Sequence, residues 1–507
     1  MKSDQTGRPN ILFITSDQQH WNTLGCRNPE IQTPHLDRLA ARGTLFKRAY
    51  CPNPTCTPTR SSIITGQYPS QHGAWSLGTK LPETAVTVGR ILSDAGYETA
   101  LIGKAHFQPL RSTEDYPSLE AYPVLQDLDF WRGFHGPFYG FDHVELARNH
   151  ADEAHVGQHY ALWMESKGCT DWRKYYQPPT GTTPAQRHHW NIPEELHYNT
   201  WITERTIERL KGYAGGDQPF LLWASYFDPH PPYIAPEPWD RMYDPSRVTV
   251  PRVTPGEHAK NPPHFQMTQE PSPDFSAWEE PEGRAMHGFG SHLQDRDSLA
   301  KDIATYYGMI SLMDKGVGRI LEALEANGQA DNTLIVFTSD HGHFFGHHGL
   351  NAKGAFHYED LVRVPFLVSW PGHVPAGRES DALQSLVDLP TSFLALAGIE
   401  KPRTMVGLDQ SPVWLGQTES VRDHAIVENR HQPTTIHVKT YIDARHKLTV
   451  YYNRDYGELF DLQNDPGEIH NLWDEPESRE LKAELTRKLL FAEMGKEPLW
   501  MPRIWHA

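Results

Sequence analysis

Four short apolar runs in this 507-residue chain share one design: each reads as a strand buried on both faces that stops abruptly at polar residues. "NILFITSDQQ" stops at Asp17 and Gln18, "ETALIGKAHF" at Lys104 and His106, "PFLLWASYFDPHPPY" near His230, and "NTLIVFTSDHGHFFG" at Asp340 and His341. Between them lie helical patterns such as "TPHLDRLAARG" and "TVGRILSDAGY", each closing on glycine in the manner of a helix C-cap. Strands alternating with helices predict an α/β fold, a mostly parallel sheet sandwiched by helices. Ligands of such sheets gather outside the carboxyl ends of the strands, so the four polar clusters are expected to meet in one crevice. One polar cluster after a strand would mean only that the chain exits to solvent. Four clusters this rich in Asp, His and Lys point to chemistry.

A chain of this length is expected to hold one large catalytic unit and a smaller partner. The stretch 298–328, "SLAKDIATYYGMISLMDKGVGRILEALEANG", predicts a core-packing helix closing on Gly328. Two regions, 108–195 and 232–297, lack clear periodicity and are expected to be long loops serving as lids, pocket walls or contacts. After about residue 420, "HAIVENR" and "TIHVKTYIDARHKLTVYYNRDYGELFDL" read as short antiparallel strands, followed by a final helix, "SRELKAELTRKLLFAEMG". The expected division is therefore a catalytic domain over 1–420 and a smaller C-terminal α+β domain over 421–507. His424, His431 and His437 in the latter are read as surface or core histidines rather than ligands. The tail "PLWMPRIWHA" offers Trp500, Met501 and Trp505 to a partner surface, which makes a homo-oligomer the expected state.

A net charge of −17 without a basic run makes nucleic acid an unsuitable partner. The first residues contain no long apolar segment, and no stretch approaches the roughly 20 apolar residues that a membrane helix needs. A soluble, cytoplasmic protein is expected. The four cysteines, Cys26, Cys51, Cys56 and Cys169, lack the spacing of a disulfide scaffold, so reduced thiols are expected over a Cys51–Cys56 disulfide or half of a zinc site.

Asp17 and Asp340 converging in one cleft would repel each other unless a cation or a proton compensates, and a divalent metal is the economical solution. Their oxygens, with Gln18 as a possible further ligand, suit Ca²⁺ or Mg²⁺, while an imidazole from His341 shifts the balance toward Mn²⁺ or Zn²⁺. "SDHGHFFGHHG" also offers His343, His347 and His348. Gly342 and Gly346 argue against the firm helix that paired metal-binding histidines require, so His341 alone is assigned to the metal.

The stretch "NPTCTPTRSSIITG" places a lone thiol, Cys56, two residues before Pro58 and one helical turn before Arg60. With Pro58 in the first turn of a helix, backbone N–H groups and the positive helix end would face an anion, a cradle for a tetrahedral oxyanion. Lys104 and Lys353 add two cations, and His106 and His230 can move protons near neutral pH.

"CTPTRSSIITG" resembles the C-x-P-x-R-x4-T-G signature of the formylglycine-dependent sulfatases, a branch of the alkaline phosphatase superfamily. The likeness extends through "TPHLDRLAARGTLFKRAY", "YPSQHG", "LIGKAHF", "DPHPPY", "FTSDHG" and "ELFDLQNDPGEIHNL", nearly the whole chain. The resemblance implies an alkaline-phosphatase-like fold, and a maturation enzyme that oxidises Cys56 to Cα-formylglycine. It implies Asp17, Asp340, His341 and the modified Cys56 as ligands of one divalent ion, Ca²⁺ or Mn²⁺. Arg60 would steady the formylglycine hydrate, and Lys104, His106, His230 and Lys353 would contact the sulfate.

The implied activity is hydrolysis of sulfate monoesters. One hydroxyl of the hydrate attacks sulfur, His230 together with Lys353 protonates the leaving alcohol, and His106 deprotonates the second hydroxyl to expel sulfate. Two departures stand out: Gln18 and His341 occupy positions where many sulfatases have Asp and Asn. Both, with "PHPP", look like the subgroup of arylsulfatases and phosphonate monoester hydrolases, whereas Lys104 and His106 look like true sulfatases. Hydrolysis of phosphonate monoesters or phosphodiesters at the same site is the alternative, and a silent anion-binding protein with an unmodified Cys56 is a third.

Overall fold

The computed structural model describes residues 7–148, 155–177, 187–274, 276, 295–430 and 435–505. An eight-stranded sheet runs, in spatial order, Arg378–Ser380, Thr44–Phe46, Phe366–Ser369, Thr333–Ser339, Asn10–Ser16, Phe220–Ser225, Glu98–Gly103 and His143–Leu146. The five strands from Thr333–Ser339 to His143–Leu146 are mutually parallel. Phe366–Ser369 is antiparallel to both of its neighbours. The predicted mostly parallel sheet is therefore present, and its four central strands are the four apolar runs.

Those runs are continuously apolar because alternate side chains enter two different cores. Leu12, Ile14, Ile102, Leu222 and Phe337 pack on one face with the helix Tyr198–Tyr213 and the long helix Arg296–Ala326. Ile11, Phe13, Leu101, Trp223 and Val336 pack on the other, against the helices Cys56–Thr65, Val88–Asp94 and Leu389–Leu396. Each face removes whole aliphatic side chains from water, about 1.5–3 kcal/mol apiece.

Helix ends follow the predicted chemistry unevenly. Gly96 and Gly328 take positive φ just beyond their helices, as expected of closing glycines. Gly43, after Pro34–Ala41, does not; a Cβ there would meet the Val368 carbonyl oxygen at 2.1 Å, so this glycine serves strand contact instead. The region 108–195 departs from the loop expectation. It carries the edge strand His143–Leu146 and the helices Leu128–Gly133 and Gln158–Ser166, elements too short to show a period. Within 232–297 the described part holds short helical turns such as Pro263–Met267.

The C-terminal segment forms an antiparallel sheet in the order Ala425–Asn429, Val438–Ile442, His446–Tyr451, Gly457–Asp461, with the helix Arg479–Gly495 against it. One face, through Ala425, Val427 and Ile442, joins the core of the main sheet. The other packs Ile426, Leu448 and Leu459 against Leu485 and Leu489 of the final helix. All four cysteines are free thiols. No described helix is long and apolar enough to cross a membrane.

Candidate active site

Each site residue is delivered by the end of an element. Ser16 and Ser339 are register partners in adjacent parallel strands, so Asp17 and Asp340 emerge side by side. Lys104 follows Gly103, register partner of Ser225. The fourth polar donor, Cys56, opens the helix Cys56–Thr65, every residue of which is buried, with Pro58 in its first turn and Gly66 left-handed at its close. The thiol and the Arg60 side chain share one helix face, four residues apart.

Asp17, Cys56, Asp340 and His341 bring four ligand atoms within 4.8 Å of one another, all in buried residues. Cys56 Sγ lies 3.2 Å from His341 Nε2 and 3.6 Å from Asp17 Oδ1. His341 Nδ1 lies 3.0 Å from the Gly342 carbonyl oxygen and donates to it, leaving Nε2 as the ligating nitrogen. Both polar atoms of the Gln18 amide are buried without a partner, beside a backbone N–H that donates to Asp340 Oδ1 at 3.0 Å. Two carboxylates, an imidazole lone pair and an orphaned amide fit a divalent cation.

Arg60 ties this frame together. Its Nε donates to Asp340 Oδ2 at 2.9 Å, Nη2 to Asp17 Oδ2 at 3.3 Å, and Nη1 to Ser225 Oγ at 2.8 Å and the Lys104 carbonyl at 3.0 Å. Lys104 Nζ donates to Asp17 and stands 3.9 Å from Cys56 Sγ. Burial works against the Asp17 charge, but Lys104 above all, with Arg60 and Lys353, holds its carboxyl well below the usual range. Burial and Asp17 push the Cys56 thiol up, yet Lys104 and Lys353 prevail and lower it.

Lys353 Nζ is 3.2 Å from Cys56 Sγ and 3.3 Å from both His230 Nε2 and His341 Nε2. His230 Nδ1 donates to the Pro231 carbonyl at 2.6 Å, so Nε2 is the acceptor facing Lys353. Burial, then Lys353, keeps His230 neutral, with its pKa well below the ordinary imidazole value. His106 sits at φ +58°, its N–H donating to Glu120 at 2.6 Å, and its Nε2 accepts from Arg148. The structure thus brings Asp17, Gln18, Cys56, Arg60, Lys104, His230, Asp340, His341 and Lys353 into one cleft, with His106 joined through Arg148.

His343 stays outside the metal cluster: it bonds Tyr233 at 2.6 Å and accepts the Phe345 N–H. His347 falls in a separate group with His20 and Asp360. There His20 Nδ1 accepts the Asn22 N–H, so Nε2 carries the proton donated to Asp360 at 2.9 Å, and the contact is complete without an ion. Among the described residues His424 and His437 belong to no metal-capable group, and His431 lies outside the described residues. Sequence reasoning missed Ser225, Glu120 and Arg148. Ser225 ends a recognised strand; Arg148 follows the edge strand hidden in the aromatic-rich region.

A mostly parallel sheet bearing two aspartates, a histidine and a helix-opening cysteine at its carboxyl edge defines the sulfatase class of the alkaline phosphatase superfamily. The sulfatase family model matches residues 9–399, and a model of the N-sulphoglucosamine sulphohydrolase C-terminal region matches 346–494. The chain belongs to the sulfatase family and is a hydrolase of sulfuric esters. It is similar to an uncharacterized sulfatase, YidJ, of Escherichia coli, with 29% identity covering 98% of this chain and 90% of the relative. An arylsulfatase of Clostridium perfringens is 27% identical, covering 97% and 95% of the two chains. The solved phosphonate monoester hydrolase SpPMH from Silicibacter pomeroyi superposes with a TM-score of 0.78 at 25% identity, covering 97% and 96%.

Proposed function

We propose that this protein cleaves aryl or alkyl sulfate monoesters through an oxidised residue 56. The observation that carries the reading is the shared position of Cys56 Sγ, which stands for a hydrate oxygen of formylglycine, among Asp17, Asp340, His341 and two lysines. Asp17, Asp340, His341 and Gln18 would hold the cation, Ca²⁺ or Mn²⁺, which when bound acidifies a hydroxyl and draws charge from the sulfuryl oxygens. A thiol would be trapped as a stable S-sulfonate, whereas the hydrate offers two hydroxyls on one carbon.

The remaining roles follow from hydrogen positions. Lys104 and Lys353 flank residue 56 and neutralise charge on the non-bridging oxygens as the S–O bond loosens. Because His230 Nε2 accepts, the proton for the leaving oxygen sits on Lys353 Nζ, with His230 orienting that ammonium. His106 Nε2 can take a proton only after Arg148 releases it. Arg60, with its donors engaged on both aspartates, fixes the ligand frame.

A second activity, on phosphonate monoesters or phosphodiesters, is favoured by one observation: the fold likeness to the phosphonate monoester hydrolase SpPMH at a TM-score of 0.78, and these esters carry the same single negative charge as a sulfate monoester. The test compares nitrophenyl sulfate with a matched phosphonate monoester on protein co-produced with a formylglycine-generating enzyme. Sulfate turnover is expected to dominate, and Gln18→Asp, by adding a carboxylate, to lower turnover of both singly charged esters together. A phosphonate rate above the sulfate rate makes the second activity the main one, and wild-type-like turnover in Cys56→Ala overturns the function. Elemental analysis of the active protein identifies the ion.

A further inference from the structure

Arg148 follows the edge strand His143–Leu146 by two residues, at the same carboxyl edge that delivers Asp17, Lys104 and Asp340. Its side chain is 2% exposed. A guanidinium buried to that extent needs acceptors for five N–H groups, and a carboxylate is the usual partner. Among the described residues Arg148 has no good one. Glu120 Oε1 is 3.8 Å from Nη1, and both Glu120 oxygens are already engaged, by the N–H groups of His106 at 2.6 Å and Gln108 at 2.7 Å. The Gln108 carbonyl is 3.5 Å away, Nη2 donates to His106 Nε2, and Nε has no acceptor among the described residues. Burial accordingly works against its charge and prevails over the support of Glu120, so its pKa is lowered.

We infer that Arg148 is a specificity-determining residue that binds a second oxyanion of the substrate, a carboxylate or a second sulfate next to the ester being cleaved. The transferred group already has two cations, since Lys104 and Lys353 both reach Cys56 Sγ, whereas the contact of Arg148 is with His106. Turning from the imidazole to an oxyanion exchanges a neutral acceptor for a charged one, and such contacts are about twice as strong. The inference rests on the proposed sulfatase reading for the site, but its test is a binding measurement that needs no turnover.

Titration calorimetry on metal-loaded, Cys56-oxidised protein would compare benzenesulfonate with 2-sulfobenzoate and benzene-1,2-disulfonate. The two doubly charged probes are expected to bind about tenfold tighter or more than benzenesulfonate. Comparing them with each other tells carboxylate from sulfate preference. Arg148→Gln is expected to bring all three within about twofold, and Arg148→Lys to retain an intermediate preference. Equal wild-type affinities overturn the inference, and that comparison stands whether or not the Gln variant folds. A preference surviving in folded Arg148→Gln overturns it as well. Absence of ester turnover alongside a preserved binding preference would instead remove the sulfatase reading of the site and leave the anion subsite standing.

Discussion

In the proposed mechanism Lys353 would carry the proton that lets a poor leaving group depart. An ammonium 3.3 Å from an accepting imidazole nitrogen, beside the nucleophile's seat, is general-acid geometry, and His230, held neutral by burial, has no proton on the facing nitrogen to give. Lys353→Met is therefore expected to lower kcat about 10²–10⁴-fold for an alkyl sulfate and far less for nitrophenyl sulfate, whose leaving group needs no proton. Equal losses on both esters would show that Lys353 serves the sulfuryl oxygens alone. The Gln18 amide belongs to the same scale: an orphaned buried side chain at φ +60° is conformationally costly, and a bound ion would repay it.

Among the elements, the junction between the C-terminal sheet and the short helix Pro69–His72, which follows the motif helix, hangs on Glu428. From the strand Ala425–Asn429 it accepts the Ser70 N–H and Oγ–H at 2.9 Å each and pairs with Lys496 and with Lys439 at 3.3 Å. Burial opposes its charge, but Lys496 and Lys439 prevail and lower its pKa to about 2 from 4.5. A depressed carboxylate stabilises the fold fully above its unfolded value and loses that contribution as pH falls from about 4.5 toward 2. Glu428→Gln is expected to cost about 3 kcal/mol at pH 7 in urea unfolding, with the deficit shrinking by pH 3. A deficit of the same size at both pH values would assign the effect to packing.

At this scale the sequence was readable where period and chemistry were both strong. The four central strands, the long helix and the Cys56 helix announced themselves through continuous apolar runs, glycine stops and a tight motif. His143–Leu146 did not, because four residues cannot establish a period, and Arg148 was hidden with it. Glu120 was illegible for another reason: its partners are backbone N–H groups at 106 and 108, which leave no mark on composition.

For the whole molecule, the unresolved demand is apolar surface. Leu490, Phe491 and Met494 on the final helix, then Leu499, Trp500, Met501, Ile504 and Trp505 beyond it, are each more than half exposed. A monomer rarely presents so many large apolar side chains in sixteen residues, which supports the expected homo-oligomer. Deleting residues 497–507 is expected to lower the mass seen by light scattering to that of one chain, with ester hydrolysis retained. An unchanged mass would place the subunit contact elsewhere. The 507-residue chain thus reads as one catalytic sheet whose carboxyl edge is closed by the Cys56 helix, with a second sheet held through Ser70 to the short helix Pro69–His72 that follows it.

The most direct measurement follows nitrophenyl sulfate hydrolysis across preparations that differ in the fraction of chains oxidised at Cys56, with that fraction read by intact mass. The rate is predicted to rise in proportion to the oxidised fraction and to extrapolate to zero for the free thiol. Full turnover by chains that still carry the thiol would contradict the account.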